Sequence, residues 1–210
     1  MTCLWISGWG IPPRWFESQV RRCFTDGTHR VVIPGTESEV LEPHHDFDRL
    51  GGFSLGALVL LRAEGRVTSG RPTGLLAPFF AFPAEKNLGG RVRLAQLRVL
   101  RRWLERDPLG ALEDFYRRAG LDDLRGRTEL PYDRELLLQG IDLLVDGAAR
   151  VGLPPGSVAL AGETDALVDP IRLREHCPEI EVIKNRGHHP LPLLRALAKR
   201  WEATHWPADS

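Results

Sequence analysis

The chain has 210 residues, 42% of them hydrophobic, and a formal net charge of zero. This length suits one domain with a sizeable core, and the balanced charge gives no reason to expect nucleic acid or a membrane surface as a partner. Three cysteines without metal-ligand spacing favour a reducing compartment. No basic segment precedes the first apolar run and no run is long enough to cross a membrane. We therefore expect a cytoplasmic monomer without a cofactor.

The first part of the chain alternates short apolar strands with helices. The strands are predicted at residues 3–7, 29–33, 47–52 and 73–77, and the helices from Pro13 and over residues 57–63. Residues 36–46 are polar and predict a loop.

The character of the sequence changes between Pro83 and Arg150, where no strand is predicted. Leucines at positions 94, 97, 100 and 104 repeat at helical spacing, a second helix is predicted from Pro108, and a third from Asp133. Three amphipathic helices in this position predict a helical lid over residues 83–150.

Alternation resumes after the lid. We predict strands at residues 157–162 and 181–184 and helices at 170–176 and 191–201. Strands that alternate with helices indicate the α/β class, with a mostly parallel sheet flanked by helices. Residues 1–82 and 151–210 would form this core, and the lid would be an insertion.

A serine flanked by glycines follows the third predicted strand. Gly52, Ser54 and Gly56 form the pattern G-x-S-x-G, which suits a sharp turn between a strand and a helix. Such a turn is crowded, so glycine is favoured two residues before and after the serine. The serine hydroxyl is then exposed above the sheet, beside the free N–H groups of the next helix.

Three other polar or glycine-rich segments also follow predicted strands. Trp9 lies between two glycines after the first strand, Asp165 follows the strand at 157–162, and His188 follows the last strand. Because ligands bind beyond the carboxyl ends of parallel strands, these residues should meet Ser54 at one edge of the sheet. Ser54 would then be the nucleophile, His188 its base and Asp165 the group that orients the histidine. Backbone N–H groups of Trp9 and Leu55 would bind the oxyanion.

Some neighbours compete for these roles. Asp169 is an alternative to Asp165, although it could equally start a helix, and His189 is an alternative base to His188. His44, His45 and Asp46 could bind a metal, but no fourth ligand is evident, so we expect no metal site.

With the order Ser…Asp…His, these motifs resemble the α/β-hydrolases, and in particular the pimeloyl-[acyl-carrier-protein] methyl ester esterases of biotin synthesis. The similar segments are I-S-G-W-G at 6–10, with Ser7 in place of the usual histidine, G-F-S-L-G at 52–56, G-E-T-D-A-L-V at 162–168, G-H-H-P at 187–190, and, in the lid, 112–115 and 138–144. We expect the strands that precede the oxyanion strand in that superfamily to be missing from this chain.

The resemblance implies a serine carboxylesterase that removes a methyl ester from a pimeloyl-type chain on acyl carrier protein. Substrate contacts would come from Trp9 and from the lid residues Phe115, Tyr116, Arg117, Arg118 and Ala119, while Phe79 and Phe80 would pack against the alkyl chain. Basic residues in the lid, among them Arg98, Arg101, Arg102 and Arg106, could attract an acidic carrier, or could simply be solvated. A generic esterase, a thioesterase and a catalytically silent binding module are the alternatives.

Overall fold

The structure, a computed structural model, describes residues 1–35, 47–63 and 70–203. The polar stretch 36–46, including His44, His45 and Asp46, lies outside these residues. In chain order the strands are β1 (Thr2–Ile6), β2 (Thr28–Val32), β3 (Arg49–Phe53), β4 (Thr73–Leu76), β5 (Ala81–Pro83), β6 (Gly89–Val92), β7 (Ser157–Gly162) and β8 (Glu181–Ile183). The α-helices are α1 (Pro13–Arg21), α2 (Leu55–Arg62), α3 (Leu94–Arg106), α4 (Pro108–Ala119), α5 (Arg134–Asp146), α6 (Pro170–His176) and α7 (Pro190–Ala203).

Six of these strands form one sheet in the order β2-β1-β3-β4-β7-β8. Every neighbouring pair is parallel. Four of the five residues of β1 and all of β4 are buried, as expected for strands covered by helices on both faces. The α/β class and the parallel sheet predicted from the sequence are confirmed.

Helix α2 lies at the centre of the molecule, directly after β3. All of its residues from Leu55 to Leu61 are buried, so it has no solvated face. Its uniform apolarity is the reason that the sequence shows a helix-compatible run without an amphipathic repeat.

Helices α3, α4 and α5 occupy most of the segment from 83 to 150, close to the bounds predicted for them. Helix α4 begins at Pro108, where the side chain of Asp107 accepts a hydrogen bond from Gly110 N–H at 3.0 Å, and it ends at Gly120 with φ of 66°. Both α4 and α5 contact α3, so the three helices form one layer.

The prediction that residues 83–150 contain no strand is wrong, because β6 pairs with β5 in a separate two-stranded sheet. Its sequence, Gly89-Gly90-Arg91-Val92, lacks the run of branched residues that predicts a strand. A Cβ on Gly90 would lie 1.7 Å from Phe82 O, so glycine is required for the two strands to come this close.

Among the helices of the described residues, none combines the length and the apolarity that a membrane span requires.

Candidate active site

Ser54 is held in a strained turn between β3 and α2. Its φ of 56° and ψ of −114° are values that residues with a side chain rarely adopt. Glycine is needed on both sides, because a Cβ on Gly52 would lie 2.6 Å from Gly56 O, and one on Gly56 would lie 2.2 Å from Ile6 O. The two glycines of the motif therefore allow α2 to pack closely on β3 and β1 and fix the position of the hydroxyl.

His188 reaches Ser54 from the loop between β8 and α7. Its Nε2 lies 3.1 Å from Ser54 Oγ, a hydrogen-bond distance for a base and the group that it deprotonates. The imidazole packs against Phe53, with ring centroids 5.0 Å apart, and His188 is 2% exposed. The ring is thus fixed by packing as well as by its hydrogen bonds.

Asp165 follows β7 and is bonded to the other nitrogen of the same ring. Its Oδ2 lies 2.7 Å from His188 Nδ1, while its Oδ1 accepts hydrogen bonds from the N–H groups of Leu167 at 2.8 Å and Val168 at 3.0 Å. The carboxylate is fully buried, so these bonds replace its hydration. The histidine proton is then held on Nδ1, and Nε2 is left to accept the serine proton.

The two alternatives in the sequence have other partners. Asp169 is the N-cap of α6, where its Oδ1 accepts from Ile171 N–H at 3.1 Å and from Arg172 N–H at 3.2 Å. His189 accepts a hydrogen bond from Leu191 N–H on its Nδ1, and its Nε2 faces Asp123 at 3.7 Å. Within residues 1–35, 47–63 and 70–203 there is no group of three or more metal-ligating side chains.

The backbone N–H groups of Trp9 and Leu55, predicted to bind an oxyanion, have no acceptor among the described residues. Leu55 is the first residue of α2, so its N–H has no acceptor within the helix. Trp9 lies in the loop after β1, and no described residue accepts a hydrogen bond from its N–H or from that of Leu55. Both residues are buried, which strengthens any hydrogen bond to a developing negative charge.

The same sheet occurs in solved structures of distant sequence. An esterase from Exiguobacterium antarcticum is 17% identical with a TM-score of 0.72, and the match covers 97% of this chain and 91% of that one. An esterase from Thermogutta terrifontis is also 17% identical, with a TM-score of 0.59 and coverage of 97% and 87%. The N-acyl homoserine lactonase AidH is 14% identical, with a TM-score of 0.64 and coverage of 96% and 88%.

The chain has the α/β-hydrolase fold. At these identities the structural likeness establishes the fold alone. No family model and no curated protein sequence match the chain.

In this hydrolase fold, a cavity of about 280 Å³ lies between helices α3, α4 and α5 and the loops that follow β1 and β7, and neither Ser54 nor His188 lines it. Trp9 and Leu167 line it on the side of the sheet edge, and Val99, Trp103 and Phe115 line it from α3 and α4. The lining is almost entirely apolar, which is typical of a pocket for an aliphatic or aromatic group.

The two charged residues that line the cavity, Asp114 and Arg118, are bonded to each other at 2.6 Å. Burial raises the pKa of Asp114, but hydrogen bonds from Arg118 and Arg117 outweigh that effect and leave the pKa below its usual value. The carboxylate is thus ionised and paired, so the cavity offers no unpaired charge to a ligand.

The predicted substrate-binding residues lie in different places. Trp9, Phe115 and Arg118 line the cavity, whereas the other four do not: Phe79, Tyr116, Arg117 and Ala119. Phe79 is in the core, 4.8 Å from the ring of Phe82, which does line the cavity. Arg117 is largely exposed and bonded to Asp114.

Arg91 contributes to the site, although no sequence motif predicts this role. The Arg91 Nη1 group donates to Asp165 O at 3.2 Å, and its Nε lies 3.6 Å from Asp169 Oδ2. Arg91 N–H also donates to Leu167 O at 2.9 Å, so β6 holds the loop that carries Asp165. A single arginine in a glycine-rich segment has no motif by which it could have been found.

Proposed function

We propose that this chain is a serine carboxylesterase. The observation that carries the proposal is the hydrogen-bonded sequence Ser54–His188–Asp165, in which all three side chains are buried at one edge of the sheet. A serine is a poor nucleophile until a base removes its proton, and this arrangement supplies the base and fixes its tautomer. The alternative, a buried histidine with a purely structural role, does not explain why its Nε2 lies beside a serine held in a strained backbone conformation.

The reaction follows from the geometry. Ser54 Oγ attacks the carbonyl carbon of the ester as its proton moves to His188 Nε2, and the carbonyl oxygen becomes an oxyanion bound by Trp9 N–H and Leu55 N–H. The carbon–oxygen bond to the alcohol then breaks, and His188 returns the proton to the departing oxygen. A water molecule, deprotonated by His188, releases the acid from the acyl-serine and restores the hydroxyl.

The cavity supports an uncharged aliphatic or aromatic substituent on the ester. Burial of a hydrocarbon chain against its apolar lining would contribute a binding free energy of about 25 cal/mol for each Å² of apolar surface removed from water. A carboxylate placed among Phe82, Leu97 and Leu144 would lose its hydration without a partner. Neutral esters of medium chain length should therefore be better substrates than short charged ones.

Labelling by an alkyl fluorophosphonate tests the proposed activity directly. The wild-type protein should gain one adduct by mass spectrometry, Ser54→Ala should gain none, and the control Ser18→Ala, an exposed serine on α1, should label like the wild type. Absence of labelling in the wild type would leave a silent binding module as the better interpretation. A series of p-nitrophenyl esters, with one lactone and one thioester, then identifies the preferred acyl group.

The finer proposal is that the substrate is a methyl ester of a pimeloyl-type chain on acyl carrier protein. It is supported by the sequence motifs and by the exposed face of α3. Arg98, Arg102 and Arg106 lie four residues apart, are exposed, and form no ion pair with a described carboxylate. They flank Val99 and Trp103 at the cavity, so an acidic carrier bound there would bring its acyl chain to the cavity.

Competition between carrier-linked and free methyl esters tests this finer proposal. Arg98→Glu with Arg102→Glu should lower kcat/KM for the carrier-linked ester about tenfold or more and leave the free ester unchanged. Arg101 is unsuitable for this test, because it is already bonded to Asp142 at 2.7 Å. Arg14→Glu with Arg174→Glu, which makes the same charge change at exposed arginines of α1 and α6, is the control, and an equal effect in both double variants would exclude a carrier site on α3.

A further inference from the structure

Both tyrosines of the chain are bonded to the same glycine beside the proposed oxyanion hole. Tyr116, on α4, donates its hydroxyl proton to Gly10 O at 2.6 Å. Tyr132, just before α5, accepts a hydrogen bond from Gly10 N–H on its hydroxyl oxygen at 2.7 Å. Two separate lid segments thus hold the two peptide groups that flank the Cα of Gly10.

Gly10 packs closely against the lid, and its backbone has a conformation that favours glycine. Its φ is +70°, and a Cβ there would lie 3.0 Å from Leu112 Cδ2. Burial of both tyrosines raises their pKa values well above normal, so their hydroxyls remain neutral and keep these bonds at any ordinary pH.

These contacts act on Trp9, the residue directly before Gly10. The peptide group that carries Gly10 N–H begins at the carbonyl of Trp9, so the bond to Tyr132 restrains the backbone of Trp9 itself. The indole of Trp9 is also held by the lid, because its Nε1 donates to Leu137 O at 2.8 Å and its ring packs edge-on against Phe115 at 4.8 Å. The backbone and the side chain of Trp9 are therefore both held by residues of the lid.

We propose that Tyr116 and Tyr132 are positioning residues that orient Trp9 N–H toward the oxyanion. This inference rests on the proposed esterase function. An oxyanion hole stabilises the transition state only when its donors already point to the site of the developing charge. Without the two hydroxyls, the loop from Gly8 to Gly10 loses the bonds that fix its peptide groups, although the indole of Trp9 keeps its contacts with Leu137 and Phe115.

Kinetics and inhibitor binding of Tyr116→Phe, Tyr132→Phe and the double variant test the proposal. Complete loss of one oxyanion donor costs about 10²–10³ in kcat, so misorientation should lower kcat about tenfold in each single variant and further in the double variant. KM should change less than about twofold. An alkyl trifluoromethyl ketone, which forms a tetrahedral adduct with the serine, should lose affinity by the same factor as kcat.

The control is Asp142→Asn, which weakens the bond between Arg101 of α3 and Asp142 of α5 without contact to Gly10. It removes a contact between the same helices at a distance from Gly10, and thermal melting checks that every variant is folded. If the tyrosine variants match this control in kcat and in ketone affinity while the wild type labels at Ser54, the positioning role is overturned and the esterase function stands. A wild type that does not label at Ser54 would overturn both.

Discussion

Replacement of Asp165 by asparagine should abolish the proposed esterase activity without unfolding the protein. The orientation of the amide is set by the structure, because the N–H groups of Leu167 and Val168 both need an acceptor. The amide oxygen must therefore stay on their side, and the NH2 group must face His188 Nδ1, where the carboxylate oxygen now lies at 2.7 Å. An NH2 group donates, so Nδ1 has to become an acceptor and the ring proton moves to Nε2.

A protonated Nε2 cannot accept the proton of Ser54, 3.1 Å away. A wrong tautomer of this kind costs about 10⁴ in kcat, which corresponds to about 5 kcal/mol of transition-state stabilisation. The assay is hydrolysis of a p-nitrophenyl ester by Asp165→Asn, with melting temperature measured in parallel. Asp169→Asn is the control: asparagine caps a helix about as well as aspartate, so this variant should keep both its stability and its activity. More than about a tenth of wild-type kcat in Asp165→Asn would refute this account of the histidine tautomer.

Three further outcomes are expected. Gly56→Ala places a methyl group 2.2 Å from Ile6 O and should lower the free energy of unfolding by about 1–3 kcal/mol; an unchanged urea midpoint would contradict the close packing of α2 on β1. Phe115→Ala enlarges the cavity and should shift the preference among p-nitrophenyl esters toward longer chains, whereas an unchanged preference would place the acyl group elsewhere. Above about pH 10 the unfolded chain loses its tyrosine protons while the folded protein, in which burial raises the pKa values of Tyr116 and Tyr132, keeps them. The free energy of unfolding should therefore fall as pH rises through that range, and urea titrations of the doubly Tyr→Phe variant should show a smaller fall.

The order of elements and the proximity of Ser54, Asp165 and His188 could be predicted because each depends on local sequence. Strands in a parallel sheet are short apolar runs. The residues at their carboxyl ends meet at one edge of the sheet, and this does not depend on how the connecting helices pack. Ser54, Asp165 and His188 each follow such a run, and the structure brings them within hydrogen-bond distance. The choice between His188 and His189 needed the resemblance as well, since the two are adjacent.

The lid could be predicted only in outline. Helical periodicity locates three helices but does not determine which side chain of a face reaches the cavity. Tyr116 and Phe115 are adjacent in sequence, yet one bonds to Gly10 and the other lines the cavity. The basic residues of α3 likewise look equivalent in sequence, although Arg101 is paired with Asp142 and Arg102 is not. Such distinctions depend on contacts between distant segments, which no local pattern records.

The attachment of β6 to the acid loop has a consequence for protein engineering. Lid exchange is attractive only where a lid is a separable module whose replacement alters specificity and leaves the chemistry intact. Here Arg91 bonds to the carbonyl of Asp165, and Gly89 O accepts a hydrogen bond from Asp169 N–H at 2.7 Å. A chimera that replaced the entire insertion would lose these bonds together with the old specificity, so a transplant in this scaffold should begin after Val92.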